Sequence, residues 1–254
     1  MDGNTVSNSD DNGISVQLFA VTSGTPDVTI SNSTSTNTTN GDGITVFTAL
    51  STLGDILIDT VSATNSAGNG VTIVGGTGTI NSAIINEANS DTSGGVGVGI
   101  GLFGTTIVPN GTVAITGPGT VTDSGTGGIS NTDGVTIQLV GVTGAPDVTI
   151  DGYTVDNSGQ RGISILTDSD VNDVTVSNFA VSDSGLVTAD SQGVLIDLTN
   201  VAANSLTVSS TSTNTITRSD GRGLEVILDG ATLAGAIDIS DTSVSNSGQG
   251  TNLG

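Results

Sequence analysis

The sequence lacks several residue types on which common protein chemistry depends. It has no Cys and no His among 254 residues, and its three basic residues are all arginines: Arg161, Arg218 and Arg222. Disulfides, Ser-His and Cys-His catalysis and His-metal centres are therefore excluded. Without cysteines, the sequence does not indicate a redox compartment.

Basic and aromatic residues are scarce as well. The formal net charge is −22, and aromatic residues make up 2% of the chain. A protein that binds nucleic acid needs Lys or Arg to neutralise phosphates, so this function is excluded. Acidic polysaccharides and anionic membranes would be repelled, and no apolar run is long enough to span a bilayer.

A short repeat runs down the whole chain. Asn or Asp followed by Ser or Thr returns about every 30 residues, a period that indicates a stack of similar coils. Stacked in register, the first residues of these pairs would form a side-chain ladder. The predicted ladder residues are Asn8, Asn37, Asn65, Asn89, Asp123, Asn157, Asp183, Asn214 and Asn246.

The segments between these pairs have the pattern of β-strands. Val148-Thr149-Ile150 alternates with period two, and similar short runs rich in Val, Ile and Thr are separated by Gly, Asn, Asp and Ser. No segment shows a sustained helical period. We predict an all-β solenoid of about eight to nine coils of about 30 residues, with three short strands per coil and no obvious caps.

Glycines mark one turn of each coil. Each either supplies a positive φ or lets the backbone turn tightly before the next strand. The residue before the glycine is often Asn, Asp, Gln or Arg. The glycines lie at positions 13, 43, 70, 128, 162, 193, 223 and 250.

A longer repeat divides the coils into two blocks. The segment from Gly13 to Ile30 returns from Gly134 to Ile150, an offset of about four coils. No linker or change of composition separates the blocks. We therefore predict one domain over residues 1–254, made of two four-coil blocks at roughly 5–120 and 121–254.

The repeat resembles that of right-handed parallel β-helices. Asp147–Gly152, Val155–Gly159 and Gly162–Ile165 show the unit most clearly. It resembles pectate-lyase-like folds, and most closely the Ser-, Thr-, Asn- and Gly-rich repeats of bacterial surface adhesins and autotransporter passengers. The resemblance implies a right-handed coil with three sheets, an Asn ladder and export from the cell. It does not imply one function, because the fold hosts enzymes, adhesins and fibres.

The resemblance to pectate-lyase-like enzymes suggests an alternative, enzymatic function. Pectate-lyase-like enzymes use a basic residue beside Asp-bound calcium, but Lys is absent here. Arg161 and Arg222 lie in a turn position held elsewhere by Asn or Gln, which favours a structural role. A carboxylate-pair glycoside hydrolase could use Asp168, Asp170 and Asp173, or Asp190 with Asp197. We predict a non-enzymatic protein, with a calcium-dependent polysaccharide lyase or such a hydrolase as the alternative.

Calcium is the one cofactor that the sequence suggests, although none is required. The candidate ligands are Asp27 with Asp55, Asp147 with Asp173, and the loop residues Asp168 and Asp170. Two carboxylates one coil apart should repel, and at least one pKa should rise unless a cation bridges them. Solvent-exposed turn residues are the other interpretation of the same pattern.

The two ends of the chain share one phase of the repeat. Thr5–Ser9 and Ser243–Ser247 match, so the coils could continue into a second copy or into a longer chain. We predict an extracellular or cell-surface structural protein, either a fibre or the stalk of an adhesin. Its expected partners are further copies of itself, and a glycan or a cell-surface receptor.

Overall fold

The computed structural model describes residues 1–22, 24–125, 132–185 and 191–248. Three positions discussed above, Gly128, Asp190 and Gly250, lie outside this part. The described residues form strands and turns, with no helix among them. The strands are β1 (Thr5–Ser9), β2 (Ile14–Phe19), β3 (Val28–Ser31), β4 (Thr34–Thr38), β5 (Ile44–Ala49), β6 (Ser51–Thr52), β7 (Asp55–Ser66), β8 (Val71–Gly75), β9 (Gly78–Ile80), β10 (Ser82–Ser93), β11 (Val98–Phe103), β12 (Thr105–Ile107), β13 (Thr112–Thr116), β14 (Gly119–Ser124), β15 (Val135–Val140), β16 (Asp147–Asp151), β17 (Tyr153–Ser158), β18 (Ile163–Thr167), β19 (Asp173–Ser177), β20 (Ala180–Ser184), β21 (Val194–Asp197), β22 (Ala202–Ala203), β23 (Ser205–Ser209), β24 (Asn214–Thr217), β25 (Leu224–Ile227), β26 (Thr232–Leu233), β27 (Ile237–Ile239) and β28 (Thr242–Ser245).

The strands stack into a parallel β-solenoid of about eight coils, as the repeat predicts. One sheet takes a single strand from each coil, in the order β2-β5-β8-β11-β15-β18-β21-β25. Its first and last strands begin at Ile14 and Leu224, so a coil averages about 30 residues. Every strand pair is parallel, and equivalent residues of successive coils lie side by side, as Ile14, Ile44 and Val71 do.

Two further stacks of strands complete the coil. They merge into one 15-stranded sheet because β7 and β10 are long enough to run around the corner between them. One stack runs from β3 to β27, and the other from β1 to β28. Short additional strands, β6, β9 and β12 in the early coils and β22 and β26 in the late ones, form small sheets on a fourth side.

The core is a column of aliphatic side chains along the axis of the solenoid. Alternation along each strand points every second side chain inward, where it contacts the same position one coil above and below. In the stack from β3 to β23, this inward position is fully buried at Ile30, Ile58, Ile85, Ile115, Ile150, Val176 and Val208. Each such residue contributes about 1.5–3 kcal/mol of hydrophobic free energy.

The turn glycines stand where coils approach most closely. They lie at 13, 43, 70, 97, 134, 162, 193 and 223, and the first seven each donate an N–H to a carbonyl of the next coil. None of the eight has a positive φ. Instead, a Cβ on Gly43 or on Gly162 would lie 2.7 Å from the carbonyl oxygen of the equivalent glycine in the next coil. The positive φ offered by the sequence is therefore wrong for these glycines, and close approach between coils, which the sequence pattern had not indicated, explains why no side chain fits.

Replacing one of these glycines tests the close contact. We expect Gly162→Ala to destabilise the protein by about 1–3 kcal/mol, because its Cβ would overlap the Val181 side chain and the Gly193 carbonyl. Gly76→Ala is the matched control, since its Cβ would meet no atom closer than 3.4 Å. Urea unfolding followed by circular dichroism measures both. Equal effects of the two substitutions would contradict the explanation.

Candidate functional site

The first candidate feature is the predicted ladder, which lies near the C-terminal ends of the strands in the stack from β1 to β28. The Nδ2 of Asn37 donates to Oδ1 of Asn8 at 3.1 Å, and Asn65 donates in the same way to Asn37 at 2.9 Å. Further along the axis, Asn157 donates to Asp123 at 3.0 Å. These residues have φ between 51° and 57°, a left-handed conformation that Asn and Asp tolerate better than most residues.

Two of the predicted residues, Asn89 and Asn214, do not belong to this ladder, and two other residues take their places. The register places Thr92 opposite Asn65, and Arg218 between Asp183 and Asn246. Both Thr92 and Arg218 have the same positive φ as their neighbours in the ladder. Arg218 forms an ion pair with Asp183, so this part of the ladder is held by charge rather than by amides.

The structure gives Asn89 and Asn214 other positions. Oδ1 of Asn89 accepts hydrogen bonds from the backbone N and the hydroxyl of Thr120. Asn214 is fully buried, and its Oδ1 accepts from the backbone N of Phe179 at 3.0 Å. The prediction of these two as ladder residues is therefore wrong.

The constant member of each pair is its second residue. A Ser or Thr follows every ladder position, and along the axis it points inward and is mostly buried. In Thr38, for example, the hydroxyl donates to the carbonyl oxygen of Gly41 at 2.7 Å and closes the turn. The strand register places this pair at Thr92-Ser93 and at Arg218-Ser219 in the two coils where the prediction was wrong. These hydroxyl residues are Ser9, Thr38, Ser66, Ser93, Ser124, Ser158, Ser184, Ser219 and Ser247.

A second row of polar side chains precedes the turn glycines. Oδ1 of Asn12 accepts from the backbone N of Asp42, and Oδ1 of Asp42 accepts from the N of Asn69, both at 2.8 Å. Burial raises the pKa of Asp42 above its usual value. Arg161 and Arg222 occupy the same turn position in later coils, with their carbonyls bonded to Gly134 and Gly193. Side chains of this row thus accept hydrogen bonds from the backbone of the next coil.

The row contains a buried ion pair that the sequence did not reveal. Asp133 has no exposed surface, and its carboxylate accepts from Nη1 of Arg161 at 3.3 Å and from the hydroxyl of Ser164 at 2.6 Å. Charge-assisted hydrogen bonds of this kind offset the cost of burying the carboxylate. In the sequence, nothing distinguishes Asp133 from the other aspartates that lie in polar turns. The available signal was the arginine in the equivalent position one coil later.

Asp27 and Asp55, proposed as calcium ligands, lie in neighbouring coils as predicted from the spacing. Their carboxylates, however, have protein donors. Oδ1 of Asp27 accepts from the backbone N of Asp55 at 2.9 Å. Oδ1 of Asp55 accepts from the hydroxyl of Ser82 at 2.7 Å. Each carboxylate thus bonds to the coil that follows it.

Asp147 and Asp173 form the second predicted pair. Oδ1 of Asp147 accepts from Nδ2 of Asn172 at 2.7 Å. Oδ1 of Asp173 accepts from the hydroxyl of Ser205 at 2.6 Å and from Nδ2 of Asn204 at 2.8 Å. These two hydrogen bonds lower the pKa of Asp173 below its usual value, whereas charge repulsion was expected to raise a pKa in the pair.

The loop residues Asp168 and Asp170 bond to different coils. Oδ1 of Asp168 accepts from the backbone N of Gly141 at 2.8 Å, and Oδ1 of Asp170 accepts from the N of Ala202 at 2.9 Å. Within residues 1–22, 24–125, 132–185 and 191–248, no three acidic side chains gather in a group that could hold a metal ion. Calcium binding at these six aspartates stays a prediction.

A shallow groove borders two of the acidic residues considered for catalysis. It has a volume of about 290 Å³, and its lining includes Gln138, Leu166, Asp168 and Asp197. Oδ1 of Asp197 accepts from the backbone N and the hydroxyl of Thr199, at 3.1 Å and 2.6 Å. Asp190, its predicted partner, lies outside the described residues. All the lining residues are aliphatic or polar, so the groove offers no aromatic platform for a sugar.

Comparison with known proteins adds no family to this description. No family model matches the chain, and neither a curated protein nor a solved structure shows significant similarity to it. The described residues also contain no helix of the length and apolarity that crossing a membrane requires. The fold defines the chain as a parallel β-solenoid repeat protein.

The ion pair in the ladder predicts a pH dependence. Hydrogen bonding to Arg218 holds the pKa of Asp183 below its usual value of 3.8. A carboxylate whose pKa is lower in the folded than in the unfolded protein contributes its full stabilisation at pH values above the unfolded pKa. This contribution is lost as the pH falls through the folded pKa. We expect Asp183→Asn to lower the free energy of unfolding only slightly at pH 7, because Arg218 is largely exposed, and to leave it unchanged once the pH lies below the lowered folded pKa of Asp183.

Urea unfolding of a double-mutant cycle with Arg218→Gln, at pH 7 and at low pH, measures this coupling. A coupling energy that is the same at both pH values would contradict the assignment.

Proposed function

We propose that this protein is a non-enzymatic structural solenoid that works outside the cell or at its surface and assembles end to end. The single observation that carries the proposal is the exposure of core positions in the last described coil, which a second molecule, or further coils of a longer chain, would cover. Ile237 and Ile239 are each 48% exposed, and Val244 is 47% exposed. One coil earlier, the equivalent Leu206, Val208 and Ile216 are completely buried.

The first coil offers a matching surface. β1 and β28 are the outermost strands of the same stack, and each has one described strand neighbour, β4 and β24 respectively. Val6 of β1 is only partly buried against the core. If β28 of one molecule paired with β1 of the next, Val244 would cover Val6 and Asn246 would extend the ladder to Asn8. Each strand would also satisfy the backbone N–H and C=O groups on its free edge.

Charge sets the conditions under which this assembly is expected. A net charge of −22 opposes the approach of two molecules, and Asp2, Asp238 and Asp241 lie in the end coils. Salt screens such repulsion over about 8 Å at 0.15 M ionic strength. Apolar contact between the ends is insensitive to this screening, so higher salt should promote assembly.

The cellular setting of the proposal comes from the resemblance of the repeats to those of bacterial surface proteins. A glycan or a cell-surface receptor is the partner expected for the stalk of an adhesin. The alternative of a polysaccharide-active enzyme draws on the groove beside Asp168 and Asp197. Release of reducing sugars from neutral polysaccharides, and its loss in Asp168→Asn, would establish the enzyme in place of the structural function.

A charged residue at the last coil should block the assembly. In Val244→Lys, pairing with Val6 of another molecule would bury an ammonium group, so we expect the concentration-dependent series of oligomers to disappear. Sedimentation velocity over a range of protein and salt concentrations detects that series. Thr154→Lys, which makes the same charge change on an exposed position of β17, is the matched control and should assemble normally.

The two possible failures have different meanings. A wild-type protein that remains monomeric at high concentration and high salt would overturn the proposal. Equal assembly of Val244→Lys and the wild type would show that the contact lies elsewhere on the molecule.

A further inference from the structure

A neutral surface covers one side of the first five coils. We call it the neutral face and define it by the outward residues of β2, β5, β8, β11 and β15. Its middle row is Gln17, Phe47, Val74, Gly101 and Gln138, with successive members paired in register. Its outer row includes Phe19, Ala49, Phe103 and Val140. The third row, Ser15, Thr45, Thr72, Gly99 and Thr136, is also uncharged, although Thr45, Thr72 and Thr136 are buried and do not form part of the exposed surface.

This face is unusual in so acidic a chain because it exposes apolar side chains. Phe19 is 59% exposed, Phe103 is 41% exposed and Val140 is 37% exposed. The rings of Phe19 and Phe47 contact each other, with centroids 5.4 Å apart. Contiguous exposed apolar surface on a soluble protein commonly marks a place of contact with a partner.

Charge returns on the same side of the solenoid after the fifth coil. The outward position of β21 that follows the middle row is Asp197, and Leu166 lies between it and Gln138. Glu225 is an outward residue of β25, and Asp168 follows β18. A second copy that covered the neutral face with its own neutral face would therefore bring no carboxylate of these five strands into the contact.

The order of residues along the middle row specifies how two copies would meet. When the solenoids run antiparallel about Val74, the first coil faces the partner's fifth and the second faces its fourth. Phe47 then faces Gly101, Gln17 faces Gln138, and Val74 faces itself. In the outer row, Phe103 faces Ala49 and Phe19 faces Val140. Large residues thus oppose small ones on both sides of the centre, and the amides oppose each other.

A hollow of about 120 Å³ lies beside the position that Phe47 would enter, bordered by Val74, Val96 and Phe103. Gly99 and Gly101 lack side chains, but the Phe103 ring leans over Gly101, where a Cβ would meet it at 3.1 Å, so this ring must turn aside for Phe47 to enter. A cavity of similar size accommodates an aromatic ring in other proteins. The parallel alternative would set Gly101 against Gly101 and Asp197 against Asp197, which leaves a void and repels.

We propose that the neutral face is a self-association surface, on which two copies pair antiparallel with Val74 at the two-fold axis. The contact uses a different surface from end-to-end stacking, so either can exist without the other. Five strands about 4.8 Å apart give roughly 400 Å² per partner. A total of roughly 800 Å² is below that of standard stable interfaces, so we expect a weak dimer that strengthens when several molecules are aligned in a fibre.

Single cysteines test the geometry cleanly because the chain contains none. In Val74→Cys, two thiols should face each other across the axis, and a bis-maleimide with a span of about 10 Å, the spacing of packed sheets, should give a covalent dimer. In Gln138→Cys, the two thiols lie four coils apart, or roughly 19 Å along the axis, so this variant alone should give little dimer. Mixing Gln17→Cys with Gln138→Cys should restore the product.

These variants also separate this contact from stacking at the ends. Val74 of an end-to-end neighbour would be about eight coils away, beyond the reach of the linker. Val74→Asp should lower cross-linking of the Gln17→Cys and Gln138→Cys mixture about tenfold, because it sets two carboxylates face to face. Thr154→Asp, on another side of the solenoid, should leave it unchanged.

The result expected is dimer from Val74→Cys and from the mixed pair, but not from Gln138→Cys alone. Equal dimer from Val74→Cys and Gln138→Cys would overturn the antiparallel arrangement. Absence of dimer from Val74→Cys at high protein concentration would overturn self-association and leave the neutral face to a different partner.

Discussion

Hydrogen bonding between successive coils is the interaction on which this structure depends. A strand such as β5 bonds to β2 and β8, whose equivalent residues lie 30 and 27 positions away in the chain. Each coil therefore satisfies its backbone groups only through its neighbours, and buries its aliphatic side chains against theirs. The spacing of about 4.8 Å between coils then restricts what each position accepts. Glycine is required where carbonyls approach, and a small or hydroxyl side chain is favoured at the inward corner.

The same spacing explains how an acidic chain tolerates its own charge. Carboxylates stacked along the axis would repel if they faced only each other. In this solenoid they accept hydrogen bonds from the following coil instead, as Asp27 does from Asp55 and Asp173 does from Ser205. Asp133 and Asp183 have arginine partners one coil further on. These four aspartates thus connect coils, and the contacts that we propose between molecules use the neutral face and the two ends instead.

The sequence predicted the fold well because the signal was repeated. One Val-Thr-Ile segment is weak evidence, but its return in phase through the chain identified the strands, the parallel stacking and the inward position at Ile30, Ile58 and Ile85. The prediction of individual residues failed where a coil departed from the repeat. Asn89 and Asn214 resemble ladder residues locally, but the register places Thr92 and Arg218 in the ladder instead.

The site could be predicted less well than the fold for a physical reason. Pairing of Asp133 with Arg161, and the hollow at Gly99 and Gly101, arise between coils and depend on register to within one residue. The periodicity of the sequence is an average over many coils, so it does not give the residue-to-residue alignment of any two neighbouring coils. The self-complementary order about Val74 likewise becomes visible only once β2, β5, β8, β11 and β15 are aligned.

Electron microscopy of the purified protein at increasing salt is the most direct test of coil stacking between molecules. The account predicts filaments in which successive molecules continue one solenoid, with an axial repeat of roughly 40 Å for eight to nine coils. Isolated rods of that length at every salt and protein concentration would contradict it.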